Sequence, residues 1–342
     1  MIESFTAKLN SIAGTEKLEG FSLKEMFSEV FKRRPAEEVE EYFLVGTPKT
    51  TPAIEYVQTG WPKPWFFARV LMFLGIGYLA LVFGLNEFQN LNIVPGLLFL
   101  GTFAAPLAVV VLLFELNSPR NVSLHKLTVL FISGAVISLM MALVGFSVSS
   151  LDWLGASSAG IVEEMAKLAT VLIIVRGVRH KYMLNGLLFG ATVGAGFGAF
   201  ESAGYAFRTL LATHSAAAMI DNIQLRAILA PGMHVAWTAI SAGALWRVKQ
   251  DSKFKFQMLS DPRFYKAFCI PMVLHMIWNA PIELPFWSKQ IALTAIAWYV
   301  IFAMVQQGLH QVRDEQKLRL KQTLDQLQAT SPELTAQAAS AN

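Results

Sequence analysis

A polar stretch of 64 residues opens the chain, and eight apolar runs separated by short polar segments follow. The runs lie near 66–85, 93–115, 126–147, 155–176, 183–207, 226–247, 264–282 and 287–308. Each spans about 19 residues or more, enough for a helix to cross a hydrocarbon core of about 30 Å. The pattern predicts an all-α polytopic membrane protein with about eight transmembrane helices in residues 65–308. In residues 1–64 the signals are those of a short water-facing helical hairpin. Ser22-Leu-Lys-Glu25 has the form of a capping box, and Phe27, Val30 and Phe31 follow at helical spacing. Pro35 suits the first turn of a second helix, Ala36 to Leu44, that Gly46 closes. Thr47 to Pro64 holds four prolines and reads as a linker. Residues 309–342 form a helix-favouring tail that turns rich in Ala, Ser and Thr.

Charge orients this pattern. Charged residues make up 15% of the chain, against about 25% in soluble domains. The net charge of +4 does not signal a nucleic-acid partner, because the basic residues sit in the short loops between apolar runs. The loops at 117–125, 177–182 and 248–263, with their margins and the tail, carry fifteen Lys and Arg, against three on the alternate side. The positive-inside rule then places both termini, the hairpin and the tail in the cytoplasm, around an integral, multi-pass chain whose surroundings are the lipid bilayer. The N-terminus lacks the basic start and apolar core of a signal peptide. The single cysteine, Cys269, excludes an internal disulfide and a cysteine-based metal site, and its spacing from His275 suggests a buried apolar role.

Four of the runs hold polar side chains that lipid does not tolerate. The fourth contains Glu163, Glu164 and Lys167, spaced so that both carboxylates can meet the ammonium on one helix. The fifth contains Phe197-Gly-Ala-Phe-Glu201, the sixth His234-Val-Ala-Trp237, and the seventh His275-Met-Ile-Trp278-Asn279. A buried ion pair or an interhelical hydrogen bond explains one such group, but intramembrane ionisable residues in this number point to a site. At 1.5 Å per residue these groups fall roughly 5–13 Å below the outer boundary, in one layer. Gly186, Gly190, Gly194 and Gly198 recur every fourth residue of the fifth run, a spacing that lets helix backbones approach and carries Glu201 against its neighbours.

Glu163-Glu164-x-x-Lys167, Phe197-x-x-x-Glu201, His234 and His275-x-x-x-Asn279, in this order on successive runs, resemble the PrsW family of intramembrane proteases, itself distantly similar to type II CAAX prenyl endopeptidases. The CAAX enzymes differ in having Arg for the Lys and His in place of Glu201, so their prenylated substrates do not transfer. The resemblance implies a protease of a bacterial inner membrane acting on a membrane-anchored protein, in a site-1-type cleavage such as that of an anti-sigma factor. No Ser-His-Asp or Cys-His set is evident. Two chemistries fit the residues. In the first, which needs no cofactor, Glu163 activates water, Glu164 and Lys167 form an orienting pair, His275 and Asn279 stabilise the oxyanion, and Glu201 with His234 hold the water and set the His tautomer. In the second, Glu201, His234 and His275 hold a divalent metal such as zinc. A proton- or ion-coupled transporter would use the same residue types, although the chain shows no repeated halves.

Overall fold

The computed structural model describes residues 2–175 and 177–340. Every regular element among them is helical. Three short helices, α1 (Ile2–Ala13), α2 (Leu23–Met26) and α3 (Ala36–Glu41), precede α4 (Phe66–Phe88) and α5 (Val94–Leu116). Helices α6 (Leu124–Ser133) and α7 (Leu139–Val148) are one rod joined through a π-helical turn at Gly134–Ser138. Then come α8 (Ala159–Ile174), α9 (Met183–Thr213), α10 (Ala216–Leu229), α11 (His234–Lys249), α12 (Pro262–Asn279) and α13 (Ser288–Ser340).

Six stretches among the described residues are long and apolar enough to cross a membrane: Phe66–Phe88, Leu91–Leu116, Leu124–Val148, Met183–Thr213, Ala216–Lys249 and Pro285–Leu327. The pattern anticipated eight. The two that fall short are α8 and α12, at the positions of the expected fourth and seventh spans. Helix α8 has 16 residues, about 24 Å, and three of them are charged. Helix α12 has 18 residues and opens on Arg263 and Lys266. These are two of the helices that carry the ionisable motifs.

The N-terminal region departs from the expected hairpin. Ser22 Oγ does accept the Glu25 N–H, but the helix it caps is one turn long, and the second helix stops at Glu41. The longest helix of the region is α1, whose Leu9 and Ala13 pack into the core beside α12 and α13. The region is a collar braced on α13. Gln316 Nε2 donates to the carbonyls of Ile54 and Val57, and Gln306 links Lys17 and Glu19. Glu115, buried at the end of α5, accepts the N–H groups of Trp65, Phe66 and Phe67 and so caps α4.

Helix α9 is the axle of the bundle, in contact with α5, α6, α8, α10, α11 and α13. Its glycine stripe lies directly on α11. A Cβ at Gly190 would stand 2.1 Å from the Thr238 carbonyl oxygen, and one at Gly194 would stand 2.2 Å from that of His234. Gly186 faces Ala242 and Trp246 in the same register. On another face Gly196 meets the Phe131 carbonyl of α6. The stretch 208–226, read from sequence as an outer loop, is helical. It is the end of α9, a left-handed turn at His214, and most of α10, which folds back along α9.

Candidate active site

The ionisable residues of four helices meet at one end of this bundle. Glu163, Glu164 and Lys167 lie on one face of α8, near its start. His234 is the first residue of α11, and His275 lies one turn before the end of α12. Glu201 projects from α9 one helical turn beyond the glycine stripe that fixes α9 on α11. Glu163, Glu164, Lys167, His234 and His275 are all buried, with Glu164 and Lys167 at 0% exposure. Charge this deeply placed survives only where partners surround it.

The partners are specific. Lys167 Nζ lies 2.6 Å from Glu164 Oε1, 2.8 Å from His234 Nδ1 and 4.5 Å from the centre of the Phe197 ring. His275 Nδ1 lies 3.0 Å from the same Glu164 oxygen, and His234 Nε2 lies 3.0 Å from Glu201 Oε2. A ring nitrogen set against a carboxylate carries the proton, so each neutral imidazole turns its bare nitrogen the other way. Those bare nitrogens, His234 Nδ1 and His275 Nε2, both stand 3.8 Å from Glu163 Oε2. Lys167 Nζ is 3.7 Å from that oxygen. Glu163 Oε2 is buried and has no hydrogen-bond partner among the described residues. Trp237 stacks on His275 with ring centres 4.2 Å apart, fixing the plane of the imidazole.

One cation, the Lys167 ammonium, already borders this centre, and the donor set around it has room for a second. Donor atoms of Glu163, His234 and His275 lie within 4.8 Å of one another. The ligands of one zinc ion stand roughly 3–4 Å apart, and a ligating imidazole commonly gives its other N–H to a carboxylate, as both do here. The residues therefore fit a divalent metal. The carboxylate of the set is Glu163 rather than Glu201. Glu201 is on the far ring nitrogen of His234, held there by Arg226, whose Nη2 lies 2.6 Å from Glu201 Oε2.

The family model described as PrsW family intramembrane metalloprotease matches residues 122–305, which is 184 of the 342 residues and includes every one of these side chains. The chain belongs to that family. It is thus an integral membrane peptide hydrolase, which decides against the transporter reading. No curated protein and no solved structure matches the chain.

Within this PrsW family site the sequence motifs are not all equal. Asn279 sits at the last residue of α12, and its Nδ2 donates to the Ala156 carbonyl ahead of α8, away from the Glu163 centre. Cys269, expected buried, is exposed, because α12 turns Phe264, Ala267, Ile270 and Leu274 inward and Cys269 outward. Arg226 was legible only as a loop charge, since nothing local links it to Glu201, 25 residues earlier. Phe197 and Trp237 stood within the motifs, but their contacts with Lys167 and His275 belong to the packing of α9 and α11 on α8 and α12.

Proposed function

We propose that the chain hydrolyses a peptide bond in a membrane-anchored protein at the extracytoplasmic end of the bundle, in a site-1-type cleavage of which an anti-sigma factor is the model substrate. The reading rests on one observation, a buried Glu163 oxygen without a hydrogen-bond partner among the described residues, 3.8 Å from a ring nitrogen of both His234 and His275. Ligand atoms of Glu163, His234 and His275 lie within 4.8 Å of one another, and these three would hold a divalent metal. Bound there, the metal would supply Lewis-acid activation of water and of the scissile carbonyl.

The chain's own residues do the rest. With Oε2 turned to the metal, the other carboxylate oxygen of Glu163 takes a proton from the attacking water and returns it to the leaving amine. Glu164 and Glu201 hold the two imidazoles in their tautomers. Lys167 neutralises Glu164, and Phe197 and Trp237 keep water from the back of the site. Neither His275 Nε2 nor the engaged Asn279 amide is a donor at the centre, so the oxyanion role anticipated for them has no support in the hydrogen bonding. One contact favours a metal-free version. Lys167 Nζ already lies 2.8 Å from His234 Nδ1 and is itself a cation at the centre.

Metal analysis of the purified full chain, combined with a membrane co-expression cleavage assay, tests both. We expect about one divalent ion per chain, lost in His234→Asn and His275→Asn, with cleavage abolished by chelation and by Glu163→Gln. Cleavage that persists in metal-stripped protein would transfer the chemistry to Glu163 and Lys167 alone.

A further inference from the structure

We propose that Arg226 is a positioning residue of the site, which holds Glu201 on His234 from the α10 side of the bundle. Glu201 Oε2 is shared between two donors, Arg226 Nη2 at 2.6 Å and His234 Nε2 at 3.0 Å. A glutamate reaches its partner through three rotatable bonds, and this one keeps 19% side-chain exposure. Without a second contact nothing holds its carboxylate in one pose. Arg226 supplies that contact from a seat of its own. Its Nε lies 2.8 Å from Ser202 Oγ, and its guanidinium lies 4.5 Å from the centre of the Tyr205 ring. Residues 201, 202 and 205 lie within about one turn of α9, so one planar fork reads three neighbouring groups. A lysine can match the charge but not the fork.

The alternative is that Arg226 merely clips α10 to the bundle. Helix α10 does not need it for that. Met219, Ile220 and Ile223 bury themselves with Tyr78 and Leu85 of α4 and Val94 and Leu97 of α5. The fold-back of α10 therefore has its own apolar anchor. What Arg226 adds is the contact with Glu201, and through it the orientation of His234 towards Glu163. This role serves the hydrolytic reading above, but its spectroscopic consequence does not depend on it.

The test uses the full chain in detergent micelles, as wild type and as Arg226→Met, Arg226→Lys, Glu201→Gln and the Arg226→Met/Glu201→Gln double variant. Proton-nitrogen NMR of ring-labelled histidine reads the His234 Nε2–H, with His234→Asn for assignment. On a fixed carboxylate this proton resonates downfield and exchanges slowly with water. We expect it in wild type, lost in Arg226→Met and regained in part in Arg226→Lys, which keeps the charge on Glu201 but not the fork. With dye-labelled casein as substrate, kcat of Arg226→Met should fall about 10–100-fold with KM changed less than about threefold, the range for loss of an outer-shell partner. The double variant should be no worse than the weaker single variant, because both act through one contact. A wild-type Nε2–H signal in Arg226→Met would overturn the proposal, and so would multiplicative losses in the double variant. A mere clip would lower the melting temperature and leave the ring signal in place. A chain that cleaves nothing in the membrane co-expression assay yet loses the signal in Arg226→Met would sink the hydrolytic reading and keep the positioning one.

Discussion

Lys167 is the residue on which the charges of the site converge, and its neighbours dictate what its removal does. It is fully buried and pairs with Glu164, which is buried just as completely. Breaking a buried pair by removing one partner costs about 3–5 kcal/mol, because the other charge stays behind. Lys167→Met should therefore cut the yield of monodisperse protein and lower its melting temperature as well as its activity, measured by size-exclusion chromatography and a thermal scan. Glu163 presents the opposite case. Its Oε2 makes no hydrogen bond, so Glu163→Gln should leave the melting temperature within a few degrees of wild type while reducing turnover about 10²–10⁴-fold. In the loop between α8 and α9, burial and then the Arg179 charge push the His180 pKa from 6.5 down to about 4. The folded state thus takes up its proton later than the unfolded state as pH falls. Stability carried by neutral His180 is intact above pH 6.5 and declines between 6.5 and about 4, and the difference between wild type and His180→Gln in unfolding scans should follow that window.

Among the elements, α9 decides whether these residues meet. Its glycines touch the backbone of α11, and a backbone cannot move aside as the tip of a side chain can. Gly194→Val must push against the His234 carbonyl, which a Cβ would approach to 2.2 Å. Displacing His234 by about 1 Å is enough to cost roughly 10²-fold in rate, so activity should collapse together with thermal stability. Gly204 is the control on the same helix. Nothing lies within 4 Å of a Cβ placed there, and Gly204→Ala should be neutral or stabilising by up to about 1 kcal/mol. Melting curves of the two variants check the contrast. The stripe was visible in the sequence as a four-residue repeat, whereas the π-helical turn at Gly134–Ser138 was not. Gly134 there approaches Val193 of α9 so closely that a Cβ would stand 2.5 Å from its carbonyl oxygen. Only the partner helix makes that turn necessary.

For the whole molecule, loop charge sets which end faces which side of the membrane. The reacting groups lie at the end shared by the start of α8, the start of α11 and the end of α12, opposite the collar of residues 2–64 and the later turns of α13. The loop charges assign the collar end to the cytoplasm, so the site should open outward. Single cysteines at Ser150 and Thr213, both exposed, in a Cys269→Ala background test this. They should react with a membrane-impermeant thiol reagent on intact cells. Labelling only after lysis would invert the orientation and move the cleavage site to the cytoplasmic leaflet.

The all-α membrane architecture, the glycine stripe and the ionisable residues of the site are written in local pattern. An apolar run of span length has few other folds open to it, and a charge inside such a run is too costly to be incidental. Their convergence at one depth followed from span boundaries and the alternating direction of the helices. Pairing did not follow. Which carboxylate stands among the imidazoles depends on rotations of α8, α9, α11 and α12 about their axes, and these are set by packing. That packing put Glu163 rather than Glu201 at the centre, drew Asn279 to the Ala156 carbonyl, and brought Arg226 down to Glu201 by folding α10 back along α9. A residue's spacing along one helix is a property of the chain. The direction in which its side chain points, and the group it meets there, exist only once the helices are side by side.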